Sequence, residues 1–111
     1  MDIVDEQIGD TRVVVVTGRL DGAASTGFAE RIGGLVASSP KLLVDFAGVD
    51  FVTSAGLRAV LQIVKRVKAS GGAFAMCSVQ TQVQEILEIS GFTAMLRIHP
   101  ARDEALAALA R

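Results

Sequence analysis

Tryptophan and tyrosine are absent from these 111 residues, and five phenylalanines supply all the aromatic content. Half of the residues are hydrophobic, so a disordered chain is excluded and the core must be aliphatic, built from Val, Leu, Ile and Ala. The single cysteine, Cys77, can form neither an internal disulfide nor a metal cage. It suits a reducing compartment and a small buried position in an apolar strand. With a net charge of −1, the basic footprint that nucleic acid requires is missing. No apolar run approaches the roughly 20 residues that span a bilayer. The N-terminus, Met1 to Glu6, is acidic and lacks the apolar stretch of a signal peptide. The glycines form neither G-x-G-x-x-G nor a P-loop, which removes the case for a nucleotide. These absences lead us to expect a cytoplasmic domain with no cofactor, no nucleic-acid partner and no direct membrane insertion.

What is present alternates between strand and helix patterns. Ile3 to Ile8 and Arg12 to Thr17 read as strands joined by the turn pair Gly9-Asp10, hence an antiparallel hairpin. The run Val13 to Val16 suits a strand covered on both faces. Gly18 to Gly22 then turns the chain into a helix with Phe28, Ile32, Leu35 and Val36 at helical spacing, although Gly27, Gly33 and Gly34 weaken it. Lys41 to Phe46 is the next strand, followed by a loop that holds Asp45, Gly48 and Asp50. The helix after it presents Leu57, Val60, Leu61, Val64 and Val67 on one face and is stopped by Ser70-Gly71-Gly72. Ala73 to Cys77 reads as a strand. A helix with Val83, Ile86, Leu87 and Ser90 inward ends at Gly91, and Met95 to Ile98 gives a last strand. Pro100 suits the first turn of a closing helix that carries Leu106 and Leu109. The length suits one small domain. The order ββαβαβαβα predicts an α/β fold with a small mixed sheet of about five strands, mainly parallel after the opening hairpin, packed with about four helices.

The most informative segment is 42–61, LLVDFAGVDFVTSAGLRAVL. It runs from a buried-type strand to Thr53-Ser54-Ala55-Gly56, where a helix opens. A hydroxyl residue at a helix N-terminus sits where unpaired N–H groups and the positive dipole end favour negative charge. The plainer reading is that Thr53 or Ser54 is an N-cap, which stabilises a helix by about 1 kcal/mol. The capping box is absent, since Leu57 stands three residues after Ser54. Gly56 in the first turn costs roughly 1 kcal/mol against Ala, and allows another backbone or a partner to come close. Asp21 and the segment Asp50 to Gly56 follow successive strands, where ligands and partners of parallel sheets gather, and are expected to lie side by side. Asp45 and Asp50 alone make no credible cation site and are assigned turn and capping roles. His99 has no evident nucleophile beside it and is read as a strand-end residue.

Along its whole length the chain resembles the STAS family (sulfate transporter and anti-sigma factor antagonist domains). Gly18-Arg19-Leu20-Asp21 is similar to the family's G-x-L-D turn. Val44 to Val49 with Phe51 to Leu57 resembles its strand–loop–helix signature, and Val83 to Phe92 resembles its penultimate helix and exit. Each piece is weak alone, and their order and spacing together are specific. The resemblance implies one STAS domain over 1–111 that works as a binding switch and not as an enzyme. In stand-alone members the unmodified protein binds an anti-sigma factor that is also a GHKL-type serine kinase, and so frees the sigma factor. Phosphorylation of the loop serine ends that binding, and a phosphatase resets it. Carried onto this chain, the phosphorylated residue is Ser54, with Thr53 as a competing acceptor. Asp21, Asp50, Thr53, Ser54, Ala55, Gly56 and Arg58 form the partner-binding surface. The sequence departs from many members in having Thr53 where an Asp precedes the serine and Ala55 where a second hydroxyl follows it. An alternative within the same fold is a STAS adaptor or scaffold that is never phosphorylated, such as a subunit docked on a membrane lipid transporter of the ABC type. A phospho-Asp receiver of similar layout needs an acidic pair after its first strand and a late Lys, and has neither here. A monomer or weak dimer is expected from the exposed edge of a small sheet.

Overall fold

The four consecutive valines lie on an inner strand of the sheet and are covered on both sides, with Val15 alone half-buried, as their pattern predicts. In the computed structural model, which describes residues 1–110 apart from the side chains of Phe92 and Met95, they belong to the second of five strands. The elements in chain order are β1 (Asp2–Ile8), β2 (Thr11–Leu20), α1 (Gly22–Val36), β3 (Lys41–Val52), α2 (Ser54–Ala69), β4 (Ala73–Cys77), α3 (Thr81–Ile89), a 3-10 turn (Phe92–Met95), β5 (Ile98–His99) and α4 (Arg102–Leu109). The strands are ordered β1-β2-β3-β4-β5 across the sheet, with β1 antiparallel to β2 and the remaining pairs parallel. Ile8 pairs with Thr11 around the two-residue turn Gly9-Asp10, and Gly9 has φ +61. Glycine takes that left-handed conformation without a steric cost.

Alternation along the strands divides the core. Val14 and Val16 of β2 join Leu42, Val44 and Phe46 of β3 under α1, α2 and α3. Val13, Leu43, Ala75 and Cys77 face the other way and are covered by Ala105 and Leu109 of α4. Phe28 of α1 meets Phe46 edge-on, with ring centroids 6.4 Å apart and planes at 79°. Such pairs contribute about 0.5–1.5 kcal/mol beyond the area they bury.

Four expectations are corrected. First, β3 does not end at Phe46 but continues to Val52, so Asp45, Gly48 and Asp50 are strand residues. The reason is that β2 likewise does not end at Thr17: Gly18 to Leu20, expected as a turn, are strand residues that pair with the extension, Gly18 opposite Val49 and Leu20 opposite Val52. Two register shifts absorb the extra residues of β3. The second skips from Val49 to Phe51, which leaves Asp50 without a partner in β2, as in a β-bulge. Turn-type residues here serve irregular pairing and not a loop. Second, Gly91 has φ +78 and the chain then makes its 3-10 turn over Phe92–Met95, so the last strand is only Ile98–His99. Third, Ser90 is exposed and its hydroxyl donates to the Leu87 carbonyl at 2.8 Å, so it caps the end of α3 and does not face the core. Fourth, Pro100 precedes α4 instead of opening it, and Ala101 is the N-cap. A proline disfavours helical backbone in the residue before it, which suits the extended His99.

Asp45 keeps a turn role and gains a second one. Its Oδ1 accepts from the Ala47 N–H at 2.9 Å. Its Oδ2 is 2.9 Å from a guanidinium nitrogen of Arg102, which also reaches Glu6 at 3.3 Å. This links α4 to the sheet across 57 residues of chain. Asp45 raises the Arg102 pKa above its ordinary value, first through this hydrogen bond.

Candidate functional site

β2 and β3 end together because Leu20 and Val52 are register partners. The next residue of each strand caps the helix that follows. Asp21 accepts from the Ala24 N–H at 3.0 Å and starts α1. Thr53 accepts from the Gly56 N–H at 3.3 Å and starts α2. Asp21 and the segment leading into α2 are thus side by side, as expected from their places after successive strands. The Thr53 N–H donates to the Leu20 carbonyl at 3.0 Å, which ties one cap to the strand end that carries the other.

The two hydroxyls have different fates. Thr53 is half-buried, accepts at its own helix end and donates to the Leu20 carbonyl at 3.5 Å. Ser54, the first residue of α2, is exposed, and among the described residues its hydroxyl has no hydrogen-bond partner. The cap is therefore Thr53, and the neighbouring hydroxyl is free. No acidic residue occupies the first turn of α2, so the positive end of its dipole is unopposed from within the helix. Gly56 is buried because it lies against the Leu20 carbonyl, and a Cβ there would overlap that oxygen. The close approach anticipated for Gly56 is thus by the protein's own backbone.

Ala55 is half-buried and Arg58 exposed; both line a groove between α1 and α2, and Arg58 also lines a second groove that it shares with Ser54. One groove, of about 320 Å³, is lined by Ser54, Leu57, Arg58, Leu61 and Ser90. The other, about 280 Å³, runs between α1 and α2 past Ser25, Glu30, Ala55, Arg58 and Gln62. Asp50 is exposed on the bulge, two residues before the end of β3. The structure so brings Asp21, Thr53, Ser54, Ala55, Gly56 and Arg58 to one end of the sheet, with Asp50 on the ribbon that supports them.

Other surface features were missed in the sequence. Phe51 is 38% exposed, and the Arg19 guanidinium sits 4.3 Å from its ring centroid. An exposed aromatic beneath a cation is a cation–π pair. The pair had no local sequence signal, because Arg19 and Phe51 are register partners in the parts of β2 and β3 that run beyond the strand ends expected from sequence. Glu30, Gln62, Leu61 and Ser90 as groove residues had no local signal, because each groove is made by two helices distant in sequence. Among the described residues, no group of three or more His, Cys, Asp or Glu could hold a metal ion, and no helix is long and apolar enough to cross a membrane.

Comparison with known proteins agrees with this geometry. The family model described as STAS domain matches residues 2–105. BtrV of Bordetella bronchiseptica, named as a candidate anti-sigma factor antagonist, is 34% identical over 68 residues. That match covers 61% of this chain, and the chain spans 59% of that relative's length. A crystal structure of a candidate anti-sigma factor antagonist from Thermotoga maritima superimposes with a TM-score of 0.92 at 20% identity, over 98% of this chain and 95% of the other. SpoIIAA, an anti-sigma factor antagonist, superimposes in its unphosphorylated form with a TM-score of 0.81 at 19% identity, over 98% of this chain and 96% of its own. The Bacillus cell fate determinant SpoIIAA in its phosphorylated form gives a TM-score of 0.73 at 18% identity, over 96% of this chain and 98% of its own. At these identities the superpositions establish the fold.

Proposed function

The chain belongs to the STAS domain family, and on that premise we propose that residues 1–111 act as one anti-sigma factor antagonist domain switched by phosphorylation at Ser54. In this reading the unmodified domain binds a cytoplasmic anti-sigma factor with GHKL-type serine kinase activity and so releases the sigma factor. Phosphorylation of Ser54 by that kinase ends the binding, and a phosphatase restores it. The observation that carries the reading is the division of labour at α2: Thr53 spends its hydroxyl on the cap, and Ser54 leaves its own exposed. The relative named as a candidate antagonist and the two states of SpoIIAA support the same reading.

The physical chemistry of the site suits such a switch. A phosphoryl group adds about −1.5 to −2 charge at neutral pH, and a helix N-terminus accommodates it. The fold then survives modification. A partner docked on Asp21, Asp50, Thr53, Ala55, Gly56 and Arg58 meets bulk and charge in place of a hydroxyl. Every ~1.4 kcal/mol lost is a tenfold loss of affinity, so a penalty of a few such steps ends binding.

The test uses the cognate anti-sigma factor, recovered by affinity capture from native lysate. Ser54→Ala should retain binding in calorimetry and Ser54→Asp should lose it. Kinase and ATP should add one phosphate at Ser54, located by mass spectrometry. Equal binding by the two variants, phosphate on Thr53 alone, or recovery of transporter subunits instead of a kinase would each overturn the proposal.

A further inference from the structure

Arg58 stands on the ridge of α2 between the two grooves and lines both of them. Arg12, Arg31 and Arg102 each reach a carboxylate oxygen within 3.3 Å. Arg58 is exposed and, among the described residues, has no ion pair. On one side, the other charged residue lining the α1–α2 groove is Glu30. On the other side its groove neighbours are Ser54, Leu57, Leu61 and Ser90, and none of these carries charge. No negative charge lies in that second groove to hold a guanidinium until Ser54 is modified.

Ser54 and Arg58 are four residues apart on one helix. Side chains at that spacing lie on the same face with about 5–6 Å between Cβ atoms, and an acidic group N-terminal to a basic one is the favourable order. We infer that Arg58 is the internal counter-ion of phosphorylated Ser54: modification holds its guanidinium in the groove it shares with Ser54 and away from the α1–α2 groove that Glu30 lines. This rests on the proposed modification of Ser54 and adds a second element to it. The phosphate repels a partner directly and also withdraws Arg58 from the surface the partner uses. A guanidinium suits this role, since it is always charged and grips phosphate oxygens in a bidentate fork.

Phosphoserine introduced at position 54 during translation makes the test independent of any kinase. Its second ionisation, near pH 6 in isolation, is followed by phosphorus NMR at low salt in the otherwise unaltered chain and in Arg58→Ala. The arginine should lower that pKa by on the order of 0.3 or more. Glu30→Gln, which removes the carboxylate lining the other groove, should increase the difference, and 1 M salt should shrink it. The Arg58 Nε–H resonance should move on phosphorylation and stay still when Ser54 is replaced by Ala. Circular dichroism checks that each variant is folded. Equal pKa values with and without Arg58 would overturn the inference. If the pairing is found but no anti-sigma factor is captured, the inference stands and the proposed function falls; the converse result separates them the other way.

Discussion

The backbone at Gly56 presses on the carbonyl of Leu20 so closely that any Cβ at Gly56 would overlap the oxygen. The same oxygen accepts the Thr53 N–H at 3.0 Å. One carbonyl at the end of β2 therefore sets both where α2 begins and how near it lies to the cap of α1. Gly56→Ala should destabilise the protein by about 2 kcal/mol or more, the overlap outweighing the ~1 kcal/mol that alanine gains in helix propensity. Urea unfolding followed by circular dichroism measures it, and a neutral result would mean that α2 slides away from β2 at little cost.

Gly34 predicts the opposite sign for the same substitution. It is exposed in α1, and a Cβ there meets nothing within 4 Å. Gly34→Ala should stabilise the chain by about 0.5–1 kcal/mol through helix propensity and a less free unfolded chain. An upward shift of the urea midpoint with unchanged slope is the expected reading.

Thr53 and Ser54 should separate structure from switching. Thr53→Ala removes the α2 cap and should cost about 1 kcal/mol. Ser54→Ala touches an exposed side chain and should stay within about 0.5 kcal/mol of the unaltered chain. Thermal unfolding of both variants reads this directly, without any partner.

Arg102 holds α4 to the sheet through the nearly buried Asp45 carboxylate. Arg102→Met should cost about 2–3 kcal/mol, less than the 3–5 expected of a fully buried pair because the arginine side chain is 33% exposed. Adding Asp45→Asn should recover part of that loss, since the uncompensated buried charge is then gone. Chemical denaturation of the two single variants and the double variant forms the cycle that measures it.

Cys77 lies buried beneath α4, and burial is the main reason its thiol pKa is raised, with the nearby Asp45 adding to it. A group that holds its proton more tightly when folded contributes stability that is complete below the unfolded thiol pKa. That contribution is lost as pH rises from there through the folded value. Stability should decline on the alkaline side of about pH 8.5, and the Cys77→Ser chain should lack this component of the decline. Labelling by a thiol reagent should be slow in the native protein and fast in urea.

Much of the architecture is legible before any coordinates. The valine run, the Gly9-Asp10 hairpin and the helical face of Leu57, Val60, Val64 and Val67 each state their environment locally, because buried strands and amphipathic helices have different periods. The ends of elements were read less well. Gly48 and Asp50 carry turn chemistry, but β2 supplies a partner strand that holds them in the sheet with irregular register. Ser90 has apolar neighbours at helical spacing but finds the Leu87 carbonyl instead of the core. The ion pair of Asp45 with Arg102 spans 57 residues and leaves no trace in local pattern.

The candidate site divides along the same line. By itself the sequence determined that adjacent hydroxyls, Thr53 and Ser54, stand where a strand hands over to an amphipathic helix, since residue type and period are local properties. Which hydroxyl is tied down and which is free was decided by tertiary structure. The Leu20 carbonyl that engages Thr53 arrives from 33 residues away, and only the pairing of β2 with β3 brings it there.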